Sequence, residues 1–348
     1  MLKQKTIVLF LLLCLSLSML VSAGLGAVSI SPAQVVSILA NNISPEMEWK
    51  EFSNVQESVF LKIRSPRILM SALVGTALAI SGAAMQGLFR NPLADPSIIG
   101  ISAGASLAAA TVIVLFPTLA ISSAAIAGLS VLSLATFLGA LLASILIFRL
   151  ARENKRTNVA TMLLGGIAIN ALAMAFTGLL TFIADDASLR TLTFWTLGSL
   201  GGANWLNTGI VAFATFVSLL FLSRHFKAFN ALALGETEAT HLGIPIERLK
   251  IEVILFTSLA VGCSVAFCGM IGFIGLVAPH VLRLLGGADH RYLLPASALG
   301  GAVLLCWGDT LARTIAMPTE IPVGIITAIT GAPLFLYLLV RKKREVFL

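Results

Sequence analysis

Ten stretches of roughly twenty mainly apolar residues follow one another along this chain, and a run of that length is what one helical crossing of a bilayer requires. They lie near Ile7 to Val28, Ile68 to Leu88, Ser97 to Phe116, Leu119 to Leu150, Ala160 to Ile183, Trp205 to Leu222, Ile251 to Cys268, Gly272 to Leu285, Leu293 to Leu311 and Ile321 to Val340. With 58% hydrophobic and 11% charged residues among 348, the chain is more apolar than a water-soluble fold of this size can bury. The predicted class is therefore all-α, a polytopic membrane protein of about ten transmembrane helices. Its single transmembrane domain covers residues 1–348.

Basic residues fix the orientation, because segments that stay in the cytoplasm keep Lys and Arg. Ten crossings put both termini on one side, and taking that side as cytoplasmic collects seventeen of the 23 basic residues with eight acids, a net of +9. Six remain outside, Lys50, Lys62, Arg64, Arg67, Arg190 and Arg313, against eight acids, a net of −2. The overall +7 is thus explained by topology, without a nucleic-acid partner. Lys3 and Lys5 before an apolar run ending in Val21-Ser-Ala-Gly-Leu-Gly-Ala27 resemble a secretory signal. The run is longer than a usual signal core, and its removal would spoil the charge asymmetry, so it is read as a retained first helix.

Gly100-x-x-x-Gly104 and Gly198-x-x-x-Gly202 predict close helix packing. Pro92, Pro96, Pro117, Pro279, Pro322 and Pro333 interrupt the spans, as in the broken helices of transporters. Polar residues within the spans are mostly uncharged, for example Ser71, Thr76, Ser81, Gln86, Asn170 and Thr177, and no span carries the charged face that ion coupling needs. Cys14, Cys263, Cys268 and Cys306 lack CxxC spacing and read as small buried hydrophobes.

Enzymatic signatures are weak. His225, His241, His280 and His290 show no HExxH spacing and read as loop and cap residues; no metal site and no catalytic residue is predicted. Gly82 and Gly87 bracket four residues, but Leu88-Phe89 stands where a phosphate-binding loop needs Lys and Ser or Thr. Any ATP used must bind another subunit. The cytoplasmic connection from Ser223 to Lys250 is the largest with content. Within it, Leu232, Ala239 and Leu242 are predicted on one face, Gly235 at a turn, and Thr237 or Glu236 as a helix cap. Two short helices joined at a glycine would offer a convex knob to a partner.

These residues carry a resemblance. Arg64-Ser-Pro-Arg67, Ala72-Leu-Val-Gly-Thr-Ala-Leu-Ala-Ile-Ser-Gly82-Ala-Ala-Met-Gln86, Arg90-Asn-Pro-Leu-Ala-Asp-Pro96 and Gly100-Ile-Ser-Ala-Gly-Ala105 are similar to the FecCD permeases of iron-chelate and cobalamin ABC importers. So are Leu232-Ala-Leu-Gly-Glu236, Leu242-Gly-Ile-Pro245, Gly272-Phe-Ile-Gly-Leu-Val-Ala-Pro-His280, Asp289-His-Arg291, Leu294-Pro-Ala-Ser-Ala-Leu299, Asp309 and Pro322-Val-Gly-Ile. The motifs run in order over nearly the whole chain beyond the first helix.

The resemblance implies a permease pair, here a homodimer, in the bacterial inner membrane, standing on two cytoplasmic ATPase subunits and fed by a periplasmic substrate-binding protein. It implies docking of that protein by Arg64, Arg67 and Arg313, beside a periplasmic loop of about residues 29–66. The coupling helices, about 228–245, would engage the ATPase through Leu234, Gly235, Glu236, Ala239, Leu242 and Gly243. Gly165, Gly166 and Asn170, with Gly324 in the last span, would wall the translocation pathway. No cofactor is expected on this chain, and ATP and magnesium belong to the ATPase. The segments Gln86-Gly-Leu-Phe-Arg-Asn-Pro-Leu-Ala-Asp-Pro96 and Phe194-Trp-Thr-Leu-Gly-Ser-Leu-Gly-Gly202 are most similar to haem permeases. Haem is therefore the favoured cargo, ahead of ferric siderophores and cobalamin. The competing classes are an ion-coupled secondary transporter, which needs membrane ionisable residues, and an intramembrane enzyme, which needs a catalytic cluster.

Overall fold

The computed structural model describes residues 2–43, 51–121, 130–153 and 156–346. Lys50 and Lys155 lie outside the described residues, as does the part of the Leu119 to Leu150 run that covers residues 122–129. Among the described residues, seven helices are long and apolar enough to cross a membrane, and three shorter apolar ones, Ile101–Leu115, Ile274–Gly286 and Val323–Tyr337, complete ten crossings. An even number of crossings puts both ends of the bundle on the same side of the membrane.

In chain order, α1 (Leu2–Gly24) runs outward. The described residues of the outer segment after it hold α2 (Pro32–Ile43) and, further on, α3 (Asn54–Ser58) with a π-helical stretch Val59–Arg64, which leads without a break into α4 (Ser65–Leu88). A short 3₁₀ turn, Pro96–Ile99, precedes α5 (Ile101–Ala110), which passes through π-helical Thr111–Leu115 to α6 (Pro117–Ile121). Next, α7 (Val131–Leu150) returns inward to a minimal hairpin, β1 (Arg152–Glu153) with β2 (Arg156–Thr157), the small exception to an all-α fold. Then come α8 (Val159–Ile183), α9 (Asp186–Leu197) and α10 (Trp205–Arg224). Inside the cell lie α11 (Phe226–Leu232) and α12 (Glu236–His241). The last four helices are α13 (Ile246–Cys268), α14 (Ile274–Gly286), α15 (His290–Thr314) and α16 (Val323–Val346).

α4 is the central post, packed against α10, α13, α14 and α15. Its sequence explains this. Small residues at Ala72, Gly75, Ala79, Gly82 and Ala83 let neighbouring backbones approach to contact, which drives helix association where lipid removes any hydrophobic incentive. A Cβ at Gly75 would strike the Gly301 carbonyl of α15, and one at Gly82 the Gly275 carbonyl of α14. Buried residues make up 83% of the most apolar window of α4 but only 17% of that of α8, which leaves the flank of α8 for lipid or another chain.

Gly100 and Gly104 pack α5 on α7, as the spacing predicts, with Gly104 seated on Gly139. The Gly198 to Gly202 pair is different. It lies in the turn after α9, where Gly198 packs on the Met270 carbonyl and Gly202 meets nothing among the described residues. His280 is corrected, since it lies buried inside α14, whereas His290 is the buried first residue of α15, directly after its N-cap Asp289.

Candidate functional site

At the outer end of the bundle, α4 and α15 are tied by charge. Arg67 donates from Nε to both oxygens of Asp309 (3.0 and 3.1 Å) and from Nη2 to Oδ1 (2.8 Å), while its Nη1 reaches both oxygens of Glu320 (3.0 and 2.9 Å). Asp309 is 1% exposed, whereas the Glu320 side chain is 47% exposed, so one guanidinium spans a buried and a solvent-facing carboxylate. Arg313 Nε lies 3.7 Å from Asp309 Oδ2, one helical turn on, and extends the cluster.

Arg64 and Arg313 serve a further purpose, because the carbonyls at a helix C-terminus have no partner within the helix and carry partial negative charge. Arg64 Nη1 donates to the carbonyls of Ala23 (2.6 Å) and Gly24 (3.2 Å), and its Nη2 donates to Val28. Arg313 donates to the carbonyls of Leu25 (2.9 Å) and Ser22 and to the Ser22 hydroxyl (2.6 Å). The end of α1 is thus held by two arginines from α15 and from the helix leading into α4. Gly26 is fixed by the same contact: a Cβ there would sit 2.6 Å from Arg64 Nη2.

Arg64, Arg67 and Arg313 do gather at one place on the outer side, but each is buried and already partnered. A charged head next to unpaired carbonyls and acids is drawn inward, and hydropathy cannot register that.

At the inner face, the 228–245 segment forms the two short helices α11 and α12. Leu232 and Ala239 point inward, but Leu242 does not share their face. Leu242 and Leu234 are 63% and 67% exposed, an apolar pair on the cytoplasmic surface. Gly235, at φ 132°, turns the chain between the helices and acts as the N-cap of α12, without a side-chain cap from Glu236 or Thr237. Gly243, also with positive φ, ends the unit. The Glu236 carboxylate turns instead to Lys250, 3.0 Å away. Lys250, at the end of the cytoplasmic connection, is 2% exposed.

The α11 end is locked to α15. Asn230 donates to Asp289 Oδ1 (2.8 Å) and accepts at its own Oδ1 from the His290 backbone N–H (2.9 Å). Asp289 also accepts from the Arg291 backbone, and these bonds, led by that from Asn230, hold its carboxyl below the usual carboxylate range.

Within the bundle, three interruptions converge. The end of α9, the connection between α13 and α14 at residues 269–273, and the start of α16 meet where Gly324 packs on the Leu197 carbonyl. Ser199 donates its backbone N–H to Cys268 (2.8 Å). Gly269, at φ +67°, lies so close to the Trp195 carbonyl that no side chain fits. Beside this junction a cavity of about 380 Å³ is lined by Leu78, Asp95, Ser97, Val261, Phe273 and others.

Of the expected pathway residues, only Gly165 faces open space. Gly166 packs on the Ile98 carbonyl, Asn170 Nδ2 donates to the Ser97 carbonyl (3.2 Å), and Gly324 is packed as described. Their small size and single amide satisfy the 3₁₀ turn and the helix junction.

The family model of the FecCD transport family matches residues 12–341. The hemin transport system permease protein HmuU of Yersinia pestis is 43% identical over 341 residues, covering 97% of this chain and 96% of that protein. The vitamin B12 import system permease protein BtuC of Vibrio vulnificus is 37% identical over 293 residues, 84% of this chain and 86% of that one. An inward-facing structure of a transporter assigned to the metal-chelate ABC type superposes with a TM-score of 0.83 at 31% identity, covering 97% of this chain and 99% of the other. With a family match over almost its full length, a relative aligned nearly end to end and a solved fold of the same extent, the chain belongs to the FecCD transport family.

Proposed function

We propose that this chain is the membrane-spanning permease subunit of an ABC importer that carries haem from the periplasm to the cytoplasm, driven by ATP hydrolysis in a separate subunit. The end-to-end similarity to a hemin permease carries the choice of cargo. The molecule supports the mechanical part. Helix breaks meet beside a partly open cavity, as in transporters whose substrate path is built from discontinuous helices. Two short helices with exposed Leu234 and Leu242 stand on the cytoplasmic face, where a nucleotide-driven partner would grip.

In this reading two identical copies face each other across the path. Gly165 and the exposed side of α8 contribute the wall, and Gly166, Asn170 and Gly324 hold that wall in shape. The ATPase pair carries ATP and magnesium, and this chain binds no cofactor. Leu234, Gly235, Glu236, Ala239, Leu242 and Gly243 form the coupling unit, with the leucines as contacts and the rest as its frame. Arg64, Arg67 and Arg313 guide the binding protein less by direct contact than by charge. Three guanidinium groups outweigh Asp309 and Glu320, and Glu320 lies at the exposed rim where an acidic partner would meet the cluster.

Cobalamin is the second reading, favoured by the similarity to a vitamin B12 permease. The two separate in ATP hydrolysis by the assembled complex with binding protein loaded with haem, a ferric siderophore or cobalamin. Stimulation by the haem-loaded form alone supports the proposal, and stimulation by cobalamin alone replaces it with the second reading.

A further inference from the structure

We propose that Lys250 is a positioning residue that ties the second coupling helix, α12, to the base of α8, so that a displacement imposed on α12 reaches the pathway helix through one ammonium group. The inference rests on the importer reading above and adds the route by which movement is passed on.

The three protons of the Lys250 ammonium have three acceptors on three different elements. Nζ donates to Glu236 Oε2 at the start of α12 (3.0 Å), to the Thr157 carbonyl at the end of the β1–β2 hairpin (2.8 Å) and to Glu247 Oε1 in the first turn of α13 (3.3 Å). Glu247 closes the ring, because its Oε2 accepts from both the backbone N–H and the hydroxyl of Thr157, each at 2.8 Å. Every donor of a 2% exposed ammonium is therefore used, and both flanking carboxylates are engaged. Opening one side would leave a 2% exposed ammonium short of one acceptor in a buried place, so the cluster resists separation of its parts.

The neighbours of this cluster give it a mechanical direction. Asn158, the next residue after Thr157, caps α8 by accepting from the backbone of Ala160 (2.9 Å) and Thr161 (3.2 Å). On the other side, α12 is six residues long and is bounded by Gly235 and Gly243, both at positive φ. A short helix between two glycines can tilt as a unit, and among the described residues its ionic attachment to the rest of the protein is Glu236 on Lys250. A pull on α12 is thus delivered, one residue past the ring, to the first turn of α8. Hinges at element ends with a rigid link between them are the usual parts of such transmission.

A purely structural role predicts something else: loss of the cluster would lower assembly, hydrolysis and uptake together. The test uses the complete complex of permease, ATPase and binding protein in proteoliposomes, comparing wild type with Lys250→Met and with Thr157→Val, which loosens only the hairpin side. Haem moved per ATP hydrolysed is expected to fall roughly fivefold or more in Lys250→Met, and in the same direction by less in Thr157→Val. Uptake and hydrolysis falling in proportion, with an unchanged ratio in both variants, would overturn the proposal. A second readout does not depend on transport. Spin labels at Thr237 and Arg152, both exposed, are expected to give a broader distance distribution in Lys250→Met than in wild type. Equal distributions would overturn the link. A wild-type complex without ATP-driven uptake would contradict the importer reading instead, and the label distances still decide the role of Lys250.

Discussion

Arg67 and Asp309, 242 residues apart in the chain, meet in a buried pair that joins the outer ends of α4 and α15. Breaking a buried pair costs about 3–5 kcal/mol when the surviving charge is isolated, and because Glu320 still pairs with Arg67 the loss here belongs at the lower end of that range. Asp309→Ala should therefore lower the thermal stability of the purified protein by that order. The double change Arg67→Met with Asp309→Leu should recover much of the loss. Thermal unfolding in one detergent checks both, and a double variant no better than the single one would contradict the account.

Glu320 sits on the exposed side of the same guanidinium and offsets its charge toward solvent. Glu320→Gln removes one negative charge from the rim while the bond between Arg67 and Asp309 remains. Affinity for the binding protein should rise roughly a few-fold at low salt, chiefly through faster association, and the gain should fade near 1 M salt, where screening acts within about 3 Å. Surface plasmon resonance at two ionic strengths reads this. A loss of affinity would mean that Glu320 itself makes a favourable contact.

Leu234 and Leu242 are exposed at the cytoplasmic face, where neither holds the fold together. Leu234→Asp and Leu242→Asp should change stability by no more than about 0.5 kcal/mol. Co-purification of the ATPase should nonetheless be lost. Retention of the ATPase by both variants would remove this face from the coupling interface.

Asp289 links α11 to α15 through Asn230, and its carboxyl is held below the ordinary range. A depressed carboxyl stabilises the folded state above its unfolded pKa, and that contribution is lost as pH falls through the lower, folded value. The junction should therefore hold through neutral pH and loosen only below about pH 4. Asn230→Ala, which removes the leading cause, should flatten this acid-side dependence. Stability curves from pH 3 to 7 for the two proteins provide the comparison, and identical acid limbs would contradict the assignment.

The ten crossings could be read from run length and basic-residue placement because hydrocarbon thickness imposes both on any chain that spans it. Gly100 and Gly104 announced a real contact because Gly100, at φ +80°, is the N-cap of α5 and Gly104 lies one turn into that helix, so both meet α7. The Gly198 to Gly202 pair failed because the chain there is a turn, where that spacing has no geometric meaning. The arginines at 64, 67 and 313 were legible as an outer group, but their burial was not. Their partners, Asp309 and the end of α1, come from distant parts of the chain and are neighbours only after folding. Lys250 was hidden in the same way. In the sequence it is one of several bases before a span, and only the docking of α12 and the hairpin shows that it has three acceptors. Glu236 looked like a helix cap because it follows a turn glycine, but the stronger charge of Lys250 draws it away.

The central claim is that uptake through this chain is powered by ATP bound elsewhere and needs the whole assembly. The direct measurement is accumulation of labelled haem in proteoliposomes holding this chain, its ATPase and its binding protein, with ATP, without ATP, and with an imposed proton or sodium gradient. The account predicts accumulation that requires all three proteins and ATP and ignores the gradient. Uptake that persists without the ATPase, or that follows the ion gradient, would contradict it.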